Sequence, residues 1–302
     1  MPHFTRREFI VGSVAMAASL RSNLILADGE PDVVEVRGTD HAAMVTAALK
    51  ELGGIGQFVK KGDYVVLKPN AGFANPASWA TTTHPQTVVA VARACLEAGA
   101  KQVLVVEFPV SKGKKPLDRC GLTEALKAVP NVKVELLGDK KDFRQVEIKN
   151  AFTLKTVEVS KAVLSADVLI SIPNAKHHGN TDVSLGMKNA MGLIFDRRVF
   201  HTGHNIHKAL ADLTRVIQPN LTILDATRAL LTKGPRGPGD TVKLGRIVAG
   251  RNVVSVDAYG VTLARFGNKT MKPTDVAHIL QAGRAGLGQI DIDKFKVRKV
   301  EV

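Results

Sequence analysis

Residues 163–178 read Val163-Leu164-Ser165-Ala166-Asp167-Val168-Leu169-Ile170-Ser171-Ile172, then Pro173-Asn174-Ala175-Lys176-His177-His178. An almost unbroken aliphatic run that ends in a proline and a burst of polar residues reads as a strand covered on both faces. A strand with one wet face would alternate apolar with polar. Cover on both faces means helices above and below, so the run predicts an α/β fold with a mainly parallel sheet flanked by helices. The polar residues after Ile172 then stand at the carboxyl end of a strand.

The same grammar continues in both directions. Strands are expected at residues 33–36, 64–67, 103–106, 221–224 and 253–256, with a closing strand at 295–302. Helices are expected at 41–52, stopped by Gly53 and Gly54, at 85–98, capped by Thr83 and stopped by Gly99, at 206–217 and at 273–282. Residues 132–159 are different, with short alternating stretches broken by Gly138, Asp139 and Lys140, and read as a small antiparallel extension. There is no internal repeat or low-complexity linker. Residues 28–302 therefore read as a single α/β domain with room for two lobes.

Composition agrees with this. A hydrophobic content of 45% can fill a large core, and aromatics at 5% suit aliphatic strands better than a β-sandwich. The net charge of +14 raises the question of a polyanion partner. The excess sits in short lysine loops, with no aromatic residues interleaved for base stacking, which argues against nucleic acid and for a small anion. Two cysteines, Cys95 and Cys120, cannot hold an iron–sulfur cluster alone.

The first residues carry an address. Thr5-Arg6-Arg7-Glu8-Phe9-Ile10-Val11, followed by a mildly apolar stretch to Ala18, matches a twin-arginine leader, expected to end near Ala27. The stretch is far shorter than a membrane span, so no transmembrane segment is expected in the mature protein. Export through the twin-arginine route, with a periplasmic destination, follows as an expectation. Without residues 1–27 the chain keeps 39 Lys and Arg against 27 Asp and Glu, so the basic balance belongs to the mature protein.

Reactive side chains recur just past the carboxyl ends of the expected strands: Lys68 and Asn70, Glu107, Asn174 with Lys176 and His177, and Asp225. In an open parallel sheet that edge is where ligands bind. Lys68, Asn70, Asn174, Lys176 and Asn189 are assigned to ligand, with Lys188 beside them as a further cation. His177 and His84, with Lys188, are assigned to proton transfer or ligand contact. Glu107, Asp225 and His177 form the expected divalent-metal set. Adjacent histidines in extended chain face opposite ways, so only one of His177 and His178 can enter the crevice, and His177 is the choice made here. His201, His204 and His207 recur every third residue, with His204 or His201 expected to touch ligand from a lid.

Lys68-Pro69-Asn70, Thr82-Thr83-His84-Pro85, Pro173 to His177, Lys188-Asn189 with Met191-Gly192, the loop from Gly234 to Gly239, and Gly250 to Asp257 together resemble the family called domain of unknown function 362. Many members carry a ferredoxin-like segment with clustered cysteines, which this chain lacks. The layout is also distantly similar to that of lactate racemases, whose histidines and lysine hold a nickel-bearing cofactor. These observations set the expectation of an exported protein that binds an anionic small molecule with a divalent metal, as a periplasmic enzyme or redox accessory. The alternative is a non-catalytic subunit serving an exported redox partner protein.

Overall fold

The computed structural model describes residues 29–111 and 113–302, so the segment expected to be a leader lies outside the described residues. In chain order the elements are β1 (Val33–Arg37), α1 (His41–Glu51), β2 (Tyr64–Pro69), α2 (Pro85–Glu97), β3 (Gln102–Glu107), α3 (Lys115–Arg119), α4 (Leu122–Lys127), β4 (Val132–Leu136), β5 (Phe143–Glu147) and β6 (Thr156–Ser160). They continue as α5 (Lys161–Ser165), β7 (Val168–Ile172), β8 (Asn174–His178), β9 (Asp182–Ser184), α6 (Gly186–Asn189), α7 (Val199–Thr202) and α8 (Ile206–Val216). The last are β10 (Leu221–Leu230), β11 (Thr241–Gly250), α9 (Val253–Val261), α10 (Ala277–Arg284) and β12 (Val297–Glu301).

Among the described residues one sheet runs in the order β12-β1-β11-β10-β7-β2-β3-β4, with β8 beside β10 and β9 beside β8. Every neighbour pair from β4 to β10 is parallel. Strand β11 is antiparallel to both β10 and β1, and β12 is parallel to β1. A separate antiparallel pair, β5 and β6, completes the strands. The sheet is thus mostly parallel and mixed at one side, flanked by helices.

Its aliphatic runs are explained by cover on both faces. In β2, Val65 and Leu67 join a core with Met44 and Val45 of α1 and Val88 and Val91 of α2. Val66, between them, faces a second core with Leu169, Phe200 and Leu210. A third core under β10 and β11 is closed by α9 and α10 through Val256, Val261 and Ile279. No residue of β7 is exposed, which is why its sequence carries no alternation.

Five expectations need correction. The run 163–172 is not one strand: α5 takes Lys161–Ser165, and the chain extends only after Ala166. Within 132–159 only β5 and β6 are antiparallel, because β4 joins the main sheet parallel to β3. Residues 253–256 open helix α9, capped by the Asn252 side chain, so Asp257 is a buried mid-helix residue. Strand β10 does not stop at Asp225 but runs through it to Leu230. Helix α2 is capped by His84 Nδ1, which accepts from Gln86 N, while the Thr83 hydroxyl is used elsewhere.

Candidate functional site

The carboxyl ends of β2, β3 and β7 and the start of β8 lie together, and a polar network is built there. Lys68 Nζ donates to Glu107 Oε2 at 2.9 Å, to Asn189 Oδ1 at 3.1 Å and to the carbonyl of Pro69. Glu107 is satisfied on both oxygens, with Ala71 N at 2.8 Å on Oε2 and Phe108 N at 3.0 Å on Oε1. Asn189 Nδ2 donates to Lys68 O at 2.9 Å, and Asn70 Nδ2 donates to Asn189 Oδ1 at 3.3 Å. Lys176 Nζ donates to Asn70 Oδ1 at 2.9 Å and Thr81 O at 2.6 Å, 5.4 Å from the Phe73 ring centre. Lys68, Asn70, Glu107, Lys176 and Asn189 therefore form one bonded cluster.

Gly192 makes the cluster possible. A Cβ there would lie 2.3 Å from Glu107 Oε1 and 2.6 Å from Lys68 Cε, so the buried pair occupies the space of the missing side chain.

The cluster is rich in cations. Lys68 and Lys176 are each 1% exposed, and Glu107 is the one carboxylate bonded into it. Burial holds the Lys68 amine below its usual range, with Glu107 opposing. Burial also pushes Lys176 down to about 7, with Lys188 and Lys68 adding to the effect and Glu107 opposing it. Lys188 is pushed down to about 8 by burial and then by Arg197. Among the described residues its Nζ is bonded to a thioether, Met191 Sδ at 2.9 Å, a weak acceptor for an ammonium. Arg197 closes the group from the side, donating to Phe108 O and Pro109 O over the Phe108 ring.

The remaining residues separate from this cluster. Asn174 Nδ2 donates to Ala80 O at 2.7 Å, and its Oδ1 is buried without a partner among the described residues. Asp225 accepts from His84 N at 2.6 Å, Thr227 N at 3.0 Å and Thr227 Oγ1 at 2.6 Å. The His84 ring stacks on His41, with centroids 3.9 Å apart. Burial, then the charges of His41 and Arg228, push His84 down to about 4. His177 Nδ1 accepts from Gly234 N at 3.0 Å, and its ring lies against Gly267. It thus secures the Gly234 loop, while His178 lies on the β8 face shared by Asn174 and Lys176. His204 Nδ1 pairs with Thr153 Oγ1 at 2.8 Å, away from the cluster. His201 ends in α7 and His207 in α8, so the three-residue spacing spans two helices.

The expected metal set is not brought together. Among the described residues no three or more His, Cys, Asp or Glu side chains are grouped to hold a metal ion. Glu107 spends its oxygens on Lys68, Ala71 and Phe108, and Asp225 spends its own on His84 and Thr227. Both cysteines are buried thiols. Sequence reasoning missed Arg197, Asp257 and Thr81, the last of which holds Lys176 through its carbonyl. Asp257 is wholly buried in α9 and accepts from Gly186 N at 2.7 Å and Met187 N at 2.8 Å, fixing the turn that presents Lys188 and Asn189.

Comparison with known proteins adds lineage. The chain is 28% identical over 222 residues to a thylakoid-associated protein of Synechocystis sp., covering 71% of this chain and 67% of that one. Two solved structures are similar at low identity. One is the lactate racemase apoprotein of Thermoanaerobacterium thermosaccharolyticum, at 11% identity and a TM-score of 0.49, matched over 86% of this chain and 58% of its own length. The other is a Thermotoga maritima protein, at 13% and 0.44, matched over 66% of this chain and 54% of that one. No helix among the described residues is long and apolar enough to cross a membrane. The family model for a domain of unknown function, DUF362, matches residues 65–262, from β2 through α9 and thus the whole lysine cluster, and the chain belongs to that family.

Proposed function

We propose that this chain binds an anionic small molecule at the carboxyl edge of its parallel strands, with Lys188 as the principal charge and Lys176, Asn70 and Asn174 beside it. The observation that carries the reading is the charge imbalance: Lys68, Lys176, Lys188 and Arg197 lie within reach of one another's charges, and Glu107, the carboxylate bonded among them, is already paired with Lys68. Burying cations without counter-charges is costly, and a site that does so recovers the cost when an anion arrives. Lys68 and Glu107 are the scaffold, since each has its partners within the protein. The amine of Lys176, pushed down to about 7, can hold or release a proton near neutrality, which suits an enzyme or redox accessory handling its ligand's protons. The ligand is held by lysines and amides.

Thermal melts with added inorganic phosphate and small carboxylates test this. Saturable stabilisation of the wild type, lost in Lys188→Met, is the expected result. Equal stabilisation of both proteins would refute it. Export through the twin-arginine route is part of the same reading and rests on Arg6-Arg7 with Phe9 and Ile10. Replacing both arginines by lysine should leave the protein unprocessed in the cytoplasmic fraction, and normal export of that variant would refute the assignment.

A further inference from the structure

Beside Lys188 is a group of imidazoles that the lysine cluster does not use. His278 on α10 is wholly buried, and neither of its ring nitrogens has a hydrogen-bond partner among the described residues. Its ring stacks on His207 of α8, with centroids 6.2 Å apart and planes 13° from parallel. His207 Nδ1 is likewise buried and unpartnered among the described residues. Helix α8 packs against both α6 and α10, which brings the Lys188 segment to the stacked rings, and the charges of Lys188 and His178 act on His278. Among the described residues the carboxylate whose charge acts on His207 is Asp182, which is already paired with Lys269 at 3.5 Å.

Buried polar atoms are nearly always hydrogen-bonded, so the unpartnered nitrogens of two stacked rings call for a partner, and an oxyanion can take the one N–H that each neutral ring offers. Burial, reinforced by the neighbouring His207, Lys188 and His178 charges, pushes His278 down to about 3, so its ring is neutral and carries one N–H. Among the described residues the Lys188 ammonium is bonded to a thioether and to no oxygen. A neutral N–H from each imidazole and one ammonium make a donor set for an oxyanion. His207 is only half-buried, which leaves the corner a route to solvent.

We propose that Lys188, His207 and His278 together seat the oxyanion of the ligand, a carboxylate or a phosphate, with Lys188 supplying charge and the imidazoles supplying N–H donors. The proposal rests on the reading that this edge of the sheet binds an anion, and it locates the charged end of that ligand. Asn174 and Lys176 are then left for the remainder of the molecule.

The test uses the full chain with 15N-labelled histidine, titrated separately with inorganic phosphate and with oxalate as the carboxylate. The expected result is saturable movement of the His207 and His278 ring resonances by one of the two probes, which also identifies the oxyanion class. His278→Leu should bind that probe about tenfold more weakly or worse, the loss expected for a hydrogen bond to a charged group. If a probe binds and Lys188→Met abolishes binding, while the imidazole resonances stay still and His278→Leu binds like the wild type, this inference fails and the proposed function stands. If neither probe binds saturably, both fail. The wild-type titration decides the matter even if a variant does not fold.

Discussion

Replacing Asp257 by asparagine should alter the pH dependence of stability more than stability in mild acid. The carboxyl group is wholly buried with no ion pair among the described residues, and accepts two backbone N–H groups, Gly186 and Met187. Burial pushes it up from 3.8 to about 7, against the pull of those two donors. The native state therefore keeps a proton that the unfolded chain releases, and stability falls as pH rises from the unfolded value to the folded one. Together the shift corresponds to roughly 4 kcal/mol, of which about 2.5 kcal/mol is lost between about pH 5 and pH 8. Asparagine mimics the protonated acid and does not titrate, but it turns an amide donor toward one N–H, at a cost of about 1–3 kcal/mol. Urea melts from about pH 5 to pH 8 on both proteins should show wild-type stability converging on, or crossing, that of the variant. Subtracting the curves removes the histidine titrations that both share. A difference that stays constant across the range would refute the reasoning and make Asp257 an ordinary ionised acceptor for the two N–H groups.

Two more outcomes follow from the geometry. Gly192→Ala should destabilise the fold by about 3 kcal/mol or more, because its methyl group would occupy the space of Glu107 Oε1 and Lys68 Cε and part a buried ion pair; an unchanged denaturation midpoint would contradict that packing. His84 is held well below its ordinary 6.5 by burial and by His41, so it favours the native state above the unfolded value, and this contribution is lost as pH falls from 6.5 toward 4. His84→Asn keeps an acceptor for Gln86 N at the helix start and should flatten that acid limb in thermal melts, whereas an identical limb would show that other groups cause it.

The fold was legible where residue type alone reports two-sided burial. Val168–Ile172 and the aliphatic stretches of β2 and β3 announce parallel strands because helices cover both faces, and no alternation survives to confuse the reading. The errors fall where a short apolar segment fits two periods. Residues 253–256 read Val-Val-Ser-Val, and the three β-branched valines suit a strand, yet Asn252 caps the segment through Val254 N and Ser255 N and makes it the first turn of a helix. Strand β10 was cut short at Asp225 because a buried carboxylate resembles a strand end until its partners, His84 N and Thr227, are known.

The site divides along the same line. Lys68, Asn70, Glu107, Lys176 and Asn189 could be gathered from sequence because the carboxyl edge of a parallel sheet collects residues from strands that are distant in the chain. Adjacency alone could not choose between His177 and His178, since alternation says only that they oppose each other. The choice is made by the Gly234 loop. A Cβ at Gly234 would lie 1.8 Å from His177 O, so the loop's backbone packs directly on β8, and Gly234 N takes the His177 ring nitrogen. That contact commits His177 to the loop side and leaves His178 on the face of Lys176. His278 was still further from reach, because it lies about a hundred residues beyond Lys176 in the chain and sits among apolar neighbours on α10. Only the packing of α10 on α8 brings its ring to His207 and so to the charge of Lys188. Residues that anchor a strand end are therefore readable one at a time, whereas a donor set assembled by helix packing becomes visible only after the helices have been docked.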